Sequence, residues 1–292
     1  FFFKQKTAYE IGTGDWSSDV CSSDLDVIDL DLSTTPTVEM VVVKEKAAGG
    51  IILTASHNPK QWNALKLLNA EGEFISAEQG AAIIDKVKSS DFQYNEIDSI
   101  GSYELMEGTI DWHIDEIIKL SMVDVNAISK RNFTIAVDAV NSTGGIAVPA
   151  LLRKLGVQNV IEIYCEPTGK FPHNPEPLPE HLNDLSDTVL KNNADLGITV
   201  DPDVDRLAFV SENGDMFGEE YTLVAVADYV LSQKKGNTVS NLSSTRALKV
   251  ITEKHGASYA ASAVGEVNVV KMMKETDAII GGEGNEIGRA HV

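Results

Sequence analysis

Three consecutive α/β domains, each with a mixed sheet flanked by helices, are what this sequence predicts. Three observations carry that prediction. Short β-branched runs alternate with stretches of helical period, the pattern of strand–helix units. Several of those runs end directly in polar loops, as strands of an α/β sheet do at their carboxyl ends. Hydrophobic residues make up 43% and charged residues 23% of 292 residues, near the average for a folded globular protein and unlike a disordered or low-complexity chain.

Taken in order, Val27–Leu32 alternates apolar residues with Asp and reads as a strand. Thr37–Val43 follows Pro36 and reads as a helix start, which Gly49 and Gly50 end. Ile51–Thr54 is a buried strand, and Ala77–Lys88 and Asp111–Leu120 are amphipathic helices. The polar stretch 89–110 between them reads as irregular. Phe133–Val140 is a strong strand, followed by a Gly144–Gly145 turn and the helix Ile146–Leu155. Val160–Tyr164 is the next strand, and a loop with five prolines between 167 and 179 follows. Asp184–Asn192 is helical, Asp195–Val200 and Leu207–Ser211 are strands, and Tyr221–Lys234 is an apolar helix. Thr238–Leu242, the helices Ala247–His255 and Asn268–Thr276, and the strand Ala278–Ile280 complete the pattern. The domains then run 26–126, 127–236 and 237–285.

The ends read differently. Residues 1–25 have no export signal and no sustained period, and they resemble the translation of a sequencing adapter, as do residues 286–292. Both are expected to lie outside the fold. Residues 1–25 carry two lysines against Glu10, Asp15, Asp19 and Asp24, so setting them aside leaves the charge strongly negative.

Charge and composition exclude several classes. Lys and Arg total 24 against 44 Asp and Glu, a formal charge of −20, which repels a phosphate backbone; no nucleic acid is expected as partner. The longest apolar run, Tyr221–Leu231, is too short to span a bilayer and contains Asp228, so no membrane is expected either. Cys21 and Cys165 alone make neither a disulfide framework nor a cysteine zinc site. The expectation is a cytoplasmic protein acting on a small molecule.

Three loops carry chemistry. In Thr54-Ala55-Ser56-His57-Asn58-Pro59 a hydroxyl follows a strand directly. Helix capping accounts for Asn58 and Pro59 but not for Ser56 and His57 together. Lys66, ten residues on, reads by itself as a solvated charge. In Asp201-Pro202-Asp203-Val204-Asp205-Arg206 three carboxylates alternate between two apolar strands. Like charges so close call for a cation, and hard oxygen ligands favour Mg²⁺ or Ca²⁺. An EF-hand is disfavoured because Arg206 stands where that loop needs glycine and the flanks read as strands. Arg206 suits an anionic oxygen such as phosphate. In Gly281-Gly282-Glu283-Gly284-Asn285 the glycines allow close approach, and Glu283 and Asn285 could address hydroxyls together. The run 138–145, DAVNSTGG, could cradle a phosphate, although a tight strand-to-helix turn explains it.

The order and spacing of T-A-S-H-N-P, Lys66, D-P-D-V-D-R and G-G-E-G-N resemble the α-D-phosphohexomutases, from about residue 26 to 285, with the closest likeness to phosphoglucosamine mutases. The resemblance implies an isomerase that interconverts hexose 6-phosphate and hexose 1-phosphate through a phosphoserine and a bisphosphate. Ser56 would carry the phosphate. Asp201, Asp203 and Asp205, with Ser56, would hold one Mg²⁺. Arg206 and Lys66 would offset charge, Lys66 would move a proton, and His57 would contact phosphate or relay a proton. Glu283 and Asn285 would grip sugar hydroxyls, and a hexose 1,6-bisphosphate would be the activator. Glu266 stands where several relatives that use glucose or mannose phosphate carry His or a basic residue. A carboxylate there favours an amino sugar, hence glucosamine phosphate, although a helix N-terminus also favours Glu. Pro202 and Val204 replace smaller residues common in the family.

The resemblance further implies that the first and third domains are incomplete and a fourth, phosphate-binding domain is missing, in a monomer or homodimer. Phosphoglucomutase or phosphomannomutase activity, a metal-dependent phosphohydrolase, and a non-catalytic sugar-phosphate-binding module are the alternatives. The 292-residue chain is expected to turn over poorly; a steady-state assay giving a rate comparable to a full-length homologue would contradict this.

Overall fold

The computed structural model describes residues 2–3, 25–58, 61–89, 98 and 101–284. Contacts divide the chain into two units. One holds Phe1–Thr54 and Asn63–Ile110, the other Ala55–Trp62 and Asp111–Val292.

The first unit contains β1 (Phe2–Phe3), β2 (Val27–Asp29), α1 (Thr35–Lys44), β3 (Gly50–Thr54), β4 (Ala64–Leu68), α2 (Ala77–Ser89) and β5 (Tyr103–Leu105). The sheet order is β4-β3-β1-β2-β5, parallel except for the β3–β4 pair. α1 starts where the Thr34 side chain accepts the Thr37 N–H at 3.2 Å, with Pro36 in the first turn. Val38, Val41 and Val42, spaced three and four apart, bury its inner face.

Three features depart from the sequence reading. β2 and β3 do not pair directly: the backbone of Phe2–Phe3, inside the segment expected outside the fold, lies between them. The stretch 89–110 includes β5, a short edge strand with no buried residue. The apolar stripe of α2 stays exposed, with Ile83, Ile84 and Val87 all more than 40% accessible. Local periodicity specifies a helix, but not what covers it.

The second unit begins near α3 (Thr109–Lys119) and α4 (Val125–Lys130). Then come β6 (Thr134–Asp138), α5 (Gly144–Lys154), β7 (Asn159–Ile163), a 3₁₀ turn (Pro179–His181), α6 (Asn183–Asn192), β8 (Leu196–Val200) and β9 (Leu207–Ser211). The sheet order is β7-β6-β8-β9, with β8–β9 antiparallel. β6 is central and buried on both faces. Ile135 and Val137 pack with Leu152 and Ile198, while Ala136 packs with Leu185, Val189 and Val210. Helices on both faces of a mainly parallel sheet follow from that pattern.

A third sheet follows α7 (Glu219–Gln233): β10 (Asn237–Asn241), α8 (Ala247–Lys254), β11 (Tyr259–Ser262), α9 (Glu266–Thr276) and β12 (Ala278–Gly282). Its order is β11-β10-β12. Among the described residues it is wholly parallel, not mixed as expected. β11 escaped the sequence reading because Tyr-Ala-Ala-Ser is short and carries little β signal. α7, placed with the second domain on sequence grounds, buries Leu223, Ala227 and Val230 against Leu248 and Ile280 of the third. Its apolar face therefore contributes to the core of the third domain.

The β6–α5 turn has no spare volume. A Cβ on Gly145 would lie 2.0 Å from the Cys165 carbonyl oxygen. Backbone cannot yield as a flexible side chain can. Gly145→Ala is expected to destabilise the second unit by about 1–3 kcal/mol, measured by urea unfolding.

Candidate active site

β3 runs straight into the Ser56 turn. Ser56 has φ +50°, a left-handed conformation uncommon for a residue with a Cβ. The Asn58 N–H and Nδ2 both donate to the Ala55 carbonyl, at 3.1 and 3.2 Å, and close the turn. The chain then returns as the antiparallel strand β4, so the turn joins two strands rather than a strand and a helix. Asn58 serves the turn instead of capping a helix; Pro59 lies outside the described residues. Ser56 Oγ is 3.1 Å from His57 Nδ1.

β8 and β9 pair up to Val200 and Leu207, leaving residues 201–206 as the loop between two strands. This disposes of the EF-hand alternative, which needs helices. Asp201 is 0% and Asp203 1% exposed. One carboxylate oxygen from each of Asp201, Asp203 and Asp205 lies within 4.8 Å of the others. Three converging carboxylates, two of them fully buried, form an all-oxygen donor set, which fits a hard divalent cation. The loop is held from outside. Ser142 Oγ and Thr143 Oγ1 donate to the Pro202 carbonyl at 2.7 and 2.8 Å. Here the DAVNSTGG run serves as a buttress, the structural role its turn suggested. Val204 sits at φ +66°, a position where a β-branched side chain costs about 1–2 kcal/mol. This gives physical content to the departure from smaller residues there.

Arg206 ties these pieces together. Its backbone N–H donates to Asp201 Oδ1 at 3.0 Å. Its guanidinium reaches Glu176 Oε1 through Nη1 at 3.1 Å, and Nη2 lies 3.4 Å from His57 Nε2. Ser56, His57, Arg206 and the three aspartates, named separately from sequence, therefore occupy one locality. Sequence reasoning missed Glu176, although the five-proline loop that carries it was a visible signal. It also missed His173, whose Nε2 is 3.0 Å from the buried Asp138 Oδ2 and whose Nδ1 is 2.8 Å from the Asn174 carbonyl.

The other predicted residues stand on other elements. Lys66 stands on β4 in the first unit, paired in register with Ile52, its ammonium 5.6 Å from the Phe74 ring centre. In the third sheet Glu283 Oε1 accepts the Gly265 N–H at 2.5 Å, and Glu266 is the first residue of α9. Glu283 thus joins the two loops of which sequence suspected separate sugar contacts. Gly281 permits this strand end to pack tightly, since a Cβ there would meet Met273 Sδ at 2.7 Å and the Val239 carbonyl at 2.9 Å. Asn285 lies outside the described residues. Burial pushes the Cys165 thiol up to about 12, which disfavours its thiolate at neutral pH. No helix among the described residues is long and apolar enough to cross a membrane.

Three family models match the chain. They describe phosphoglucomutase/phosphomannomutase α/β/α domain I over residues 17–94, domain II over 111–214 and domain III over 218–289. A "Phosphoglucomutase/phosphomannomutase" of Thermococcus kodakarensis is 35% identical over 273 residues, 92% of this chain and 58% of the relative. A "Probable phosphoglucosamine mutase" of Methanopyrus kandleri is 32% identical over 262 residues, 89% of this chain and 56% of the relative. The chain thus spans a little over half the length of these curated relatives. A crystal structure of a phosphoglucomutase/phosphomannomutase family protein from Burkholderia thailandensis superimposes with TM-score 0.78 at 24% identity. It covers 91% of this chain and 58% of its own, a likeness of fold.

The His173–Asp138 pair gives the second unit a pH dependence. Burial works against the charged imidazole. The Asp138 and Asn174 hydrogen bonds and the charges of Asp138 and Asp184 outweigh it, so the His173 pKa is raised above the ordinary value. A raised folded-state pKa stabilises below the unfolded value and loses that contribution as pH rises through the folded one. His173→Gln should therefore cost more stability at about pH 5.5 than at about pH 8.5, read as the difference in urea midpoints from the parent chain.

Proposed function

From membership of the phosphoglucomutase/phosphomannomutase family, to which this chain belongs, we propose that it carries the phosphoserine and metal-binding parts of a phosphohexomutase. The observation that carries the reading is the Ser56–His57–Arg206 chain of contacts, whose last member is bonded through its backbone to the acidic loop. A lone acidic turn or a lone strained serine is common. A hydroxyl, an imidazole, a guanidinium and three carboxylates in one locality are the parts of a phosphoryl-transfer site.

In this reading phosphorylated Ser56 donates to a hydroxyl of a hexose monophosphate. The bond from phosphorus to Ser56 Oγ breaks as one to the sugar oxygen forms, and the hydroxyl proton passes to a base. The resulting bisphosphate turns over and returns its other phosphate to Ser56. Such transfer depends on positioning and on neutralising charge over the moving oxygens. Arg206 provides a fixed cation at Ser56's neighbour His57, and guanidinium suits phosphate in a forked geometry. His57 contacts the seryl oxygen or its phosphate. Lys66, ten residues beyond Ser56, keeps the proton-accepting part that the family resemblance implies for it.

Asp201, Asp203 and Asp205, with an oxygen of the phosphorylated Ser56, are the residues that would hold Mg²⁺. Bound there, the ion supplies charge neutralisation and Lewis-acid polarisation of phosphoryl oxygens. Glu283 and Asn285 are assigned to sugar hydroxyls, which allows either orientation of the sugar because the ring, not a phosphate, is gripped. Glu266 is assigned to the amine of glucosamine phosphate.

The test begins with chain stripped of phosphate, incubated with Mg²⁺ and a hexose 1,6-bisphosphate. Mass spectrometry should show one phosphate on the peptide holding Ser56 and none in Ser56→Ala. No gain in a folded, metal-binding chain would overturn the reading, and release of free phosphate instead of an isomeric sugar phosphate would indicate a hydrolase. Asp203→Asn should weaken Mn²⁺ or Mg²⁺ binding about tenfold or more, measured by calorimetric titration. If Glu266→Gln leaves the preference for glucosamine phosphate over glucose phosphate unchanged, the assignment of that residue fails.

A further inference from the structure

Glu176 belongs to none of the motifs that define the site, yet its place is built with care. Its backbone N–H donates to Asn174 Oδ1 at 3.1 Å. Its carbonyl accepts the Leu178 N–H at 2.8 Å and lies 2.8 Å from His181 Nδ1. Pro175 and Pro177, both buried, flank it. A proline has its own φ locked, and Pro177 also restricts the residue before it, which is Glu176, to extended backbone. The same loop is anchored upstream by His173 on Asp138. The Glu176 side chain therefore leaves from a point determined on both sides.

From that point it meets one arm of Arg206 at 3.1 Å, with the Arg206 side chain 16% and the Glu176 side chain 33% exposed. The other arm of the same guanidinium lies 3.4 Å from His57 Nε2. Arg206 is the residue next to Asp205, on a long stem with many rotamers. Its backbone bond to Asp201 fixes where the stem starts, not where the guanidinium points. A carboxylate on a separate, rigid loop supplies that second constraint, in a shielded place where an ion pair is worth more than at an open surface.

We propose that Glu176 is a positioning residue that holds the Arg206 guanidinium against His57, and so beside Ser56. Its effect on phosphate transfer rests on the reading of Ser56 given above. Its effect on Arg206 itself does not. Without Glu176 the guanidinium gains rotational freedom, and the carboxylates of its own loop attract it. There it would compete with a divalent cation.

The test uses the full chain with Glu176→Gln, Glu176→Asp, Arg206→Gln and the Glu176→Gln/Arg206→Gln double variant. Nitrogen-15 NMR of the Arg206 guanidinium, assigned by its loss in Arg206→Gln, should show hindered rotation in the parent and free rotation in Glu176→Gln. Mn²⁺, followed by electron paramagnetic resonance, should bind about fivefold more weakly to Glu176→Gln. Phosphate gain at Ser56 from a hexose 1,6-bisphosphate should slow about tenfold, with the half-saturating concentration little changed. Glu176→Asp should recover part of that rate. In the Arg206→Gln background, adding Glu176→Gln should cost less than about twofold more, the non-additivity of two groups acting as one.

Free rotation of the Arg206 guanidinium in the parent chain would overturn the proposal without any variant. So would equal losses from Glu176→Gln in both backgrounds. If the parent never gains phosphate, the functional reading fails, while the NMR and Mn²⁺ measurements still decide the role of Glu176.

Discussion

Three carboxylates forced together out of water set the terms for the structure around them. Asp201 and Asp203 are buried almost completely, and an oxygen of each lies within 4.8 Å of one from Asp205. Repulsion between like charges at that separation, away from bulk water, would open the loop unless its backbone were held. The surroundings supply such restraints. β8 and β9 clamp the loop ends. Ser142 and Thr143 grip the Pro202 carbonyl. The Arg206 N–H bonds Asp201, while its guanidinium is held by Glu176.

Several apparent oddities follow from that demand. Gly144 and Gly145 stand where a side chain would collide with Val200 or the Cys165 carbonyl, because the buttressing turn must sit close against the loop. Ser56 and Val204 are both held in left-handed backbone conformations, a cost borne by the rigid strands that flank them. The proline-rich segment, without a strand or α-helix of its own, is tied down by His173, His181 and Glu176. It is an ordered strap, and its order matters because one of its carboxylates faces the guanidinium of Arg206.

Legibility varied in a physically sensible way. Strands buried on both faces, such as β6 and β8, were evident because their composition is dictated by burial alone. The edge strand β5 and the short β11 were not, because pairing partners farther along the chain create them, and the return strand β4 was not, because its Ala-Leu-Lys-Leu-Leu run lacks β-branched residues. The Asn58–Pro59 pair suggested a helix cap. The competing demand was the β3–β4 pairing, which turned Asn58 toward the Ala55 carbonyl instead.

By itself, the sequence determined the alternation of strands and helices, the three chemical loops and the identity of the residues in them. Those follow from short-range rules: burial pattern, turn chemistry and the repulsion of neighbouring charges. Only the tertiary structure decided which of those residues meet. Ser56 and Arg206 are 150 positions apart, and no local rule connects them; His57 touches both. Glu176 was legible only there, since a single glutamate between two prolines is ordinary until the guanidinium it faces is in view.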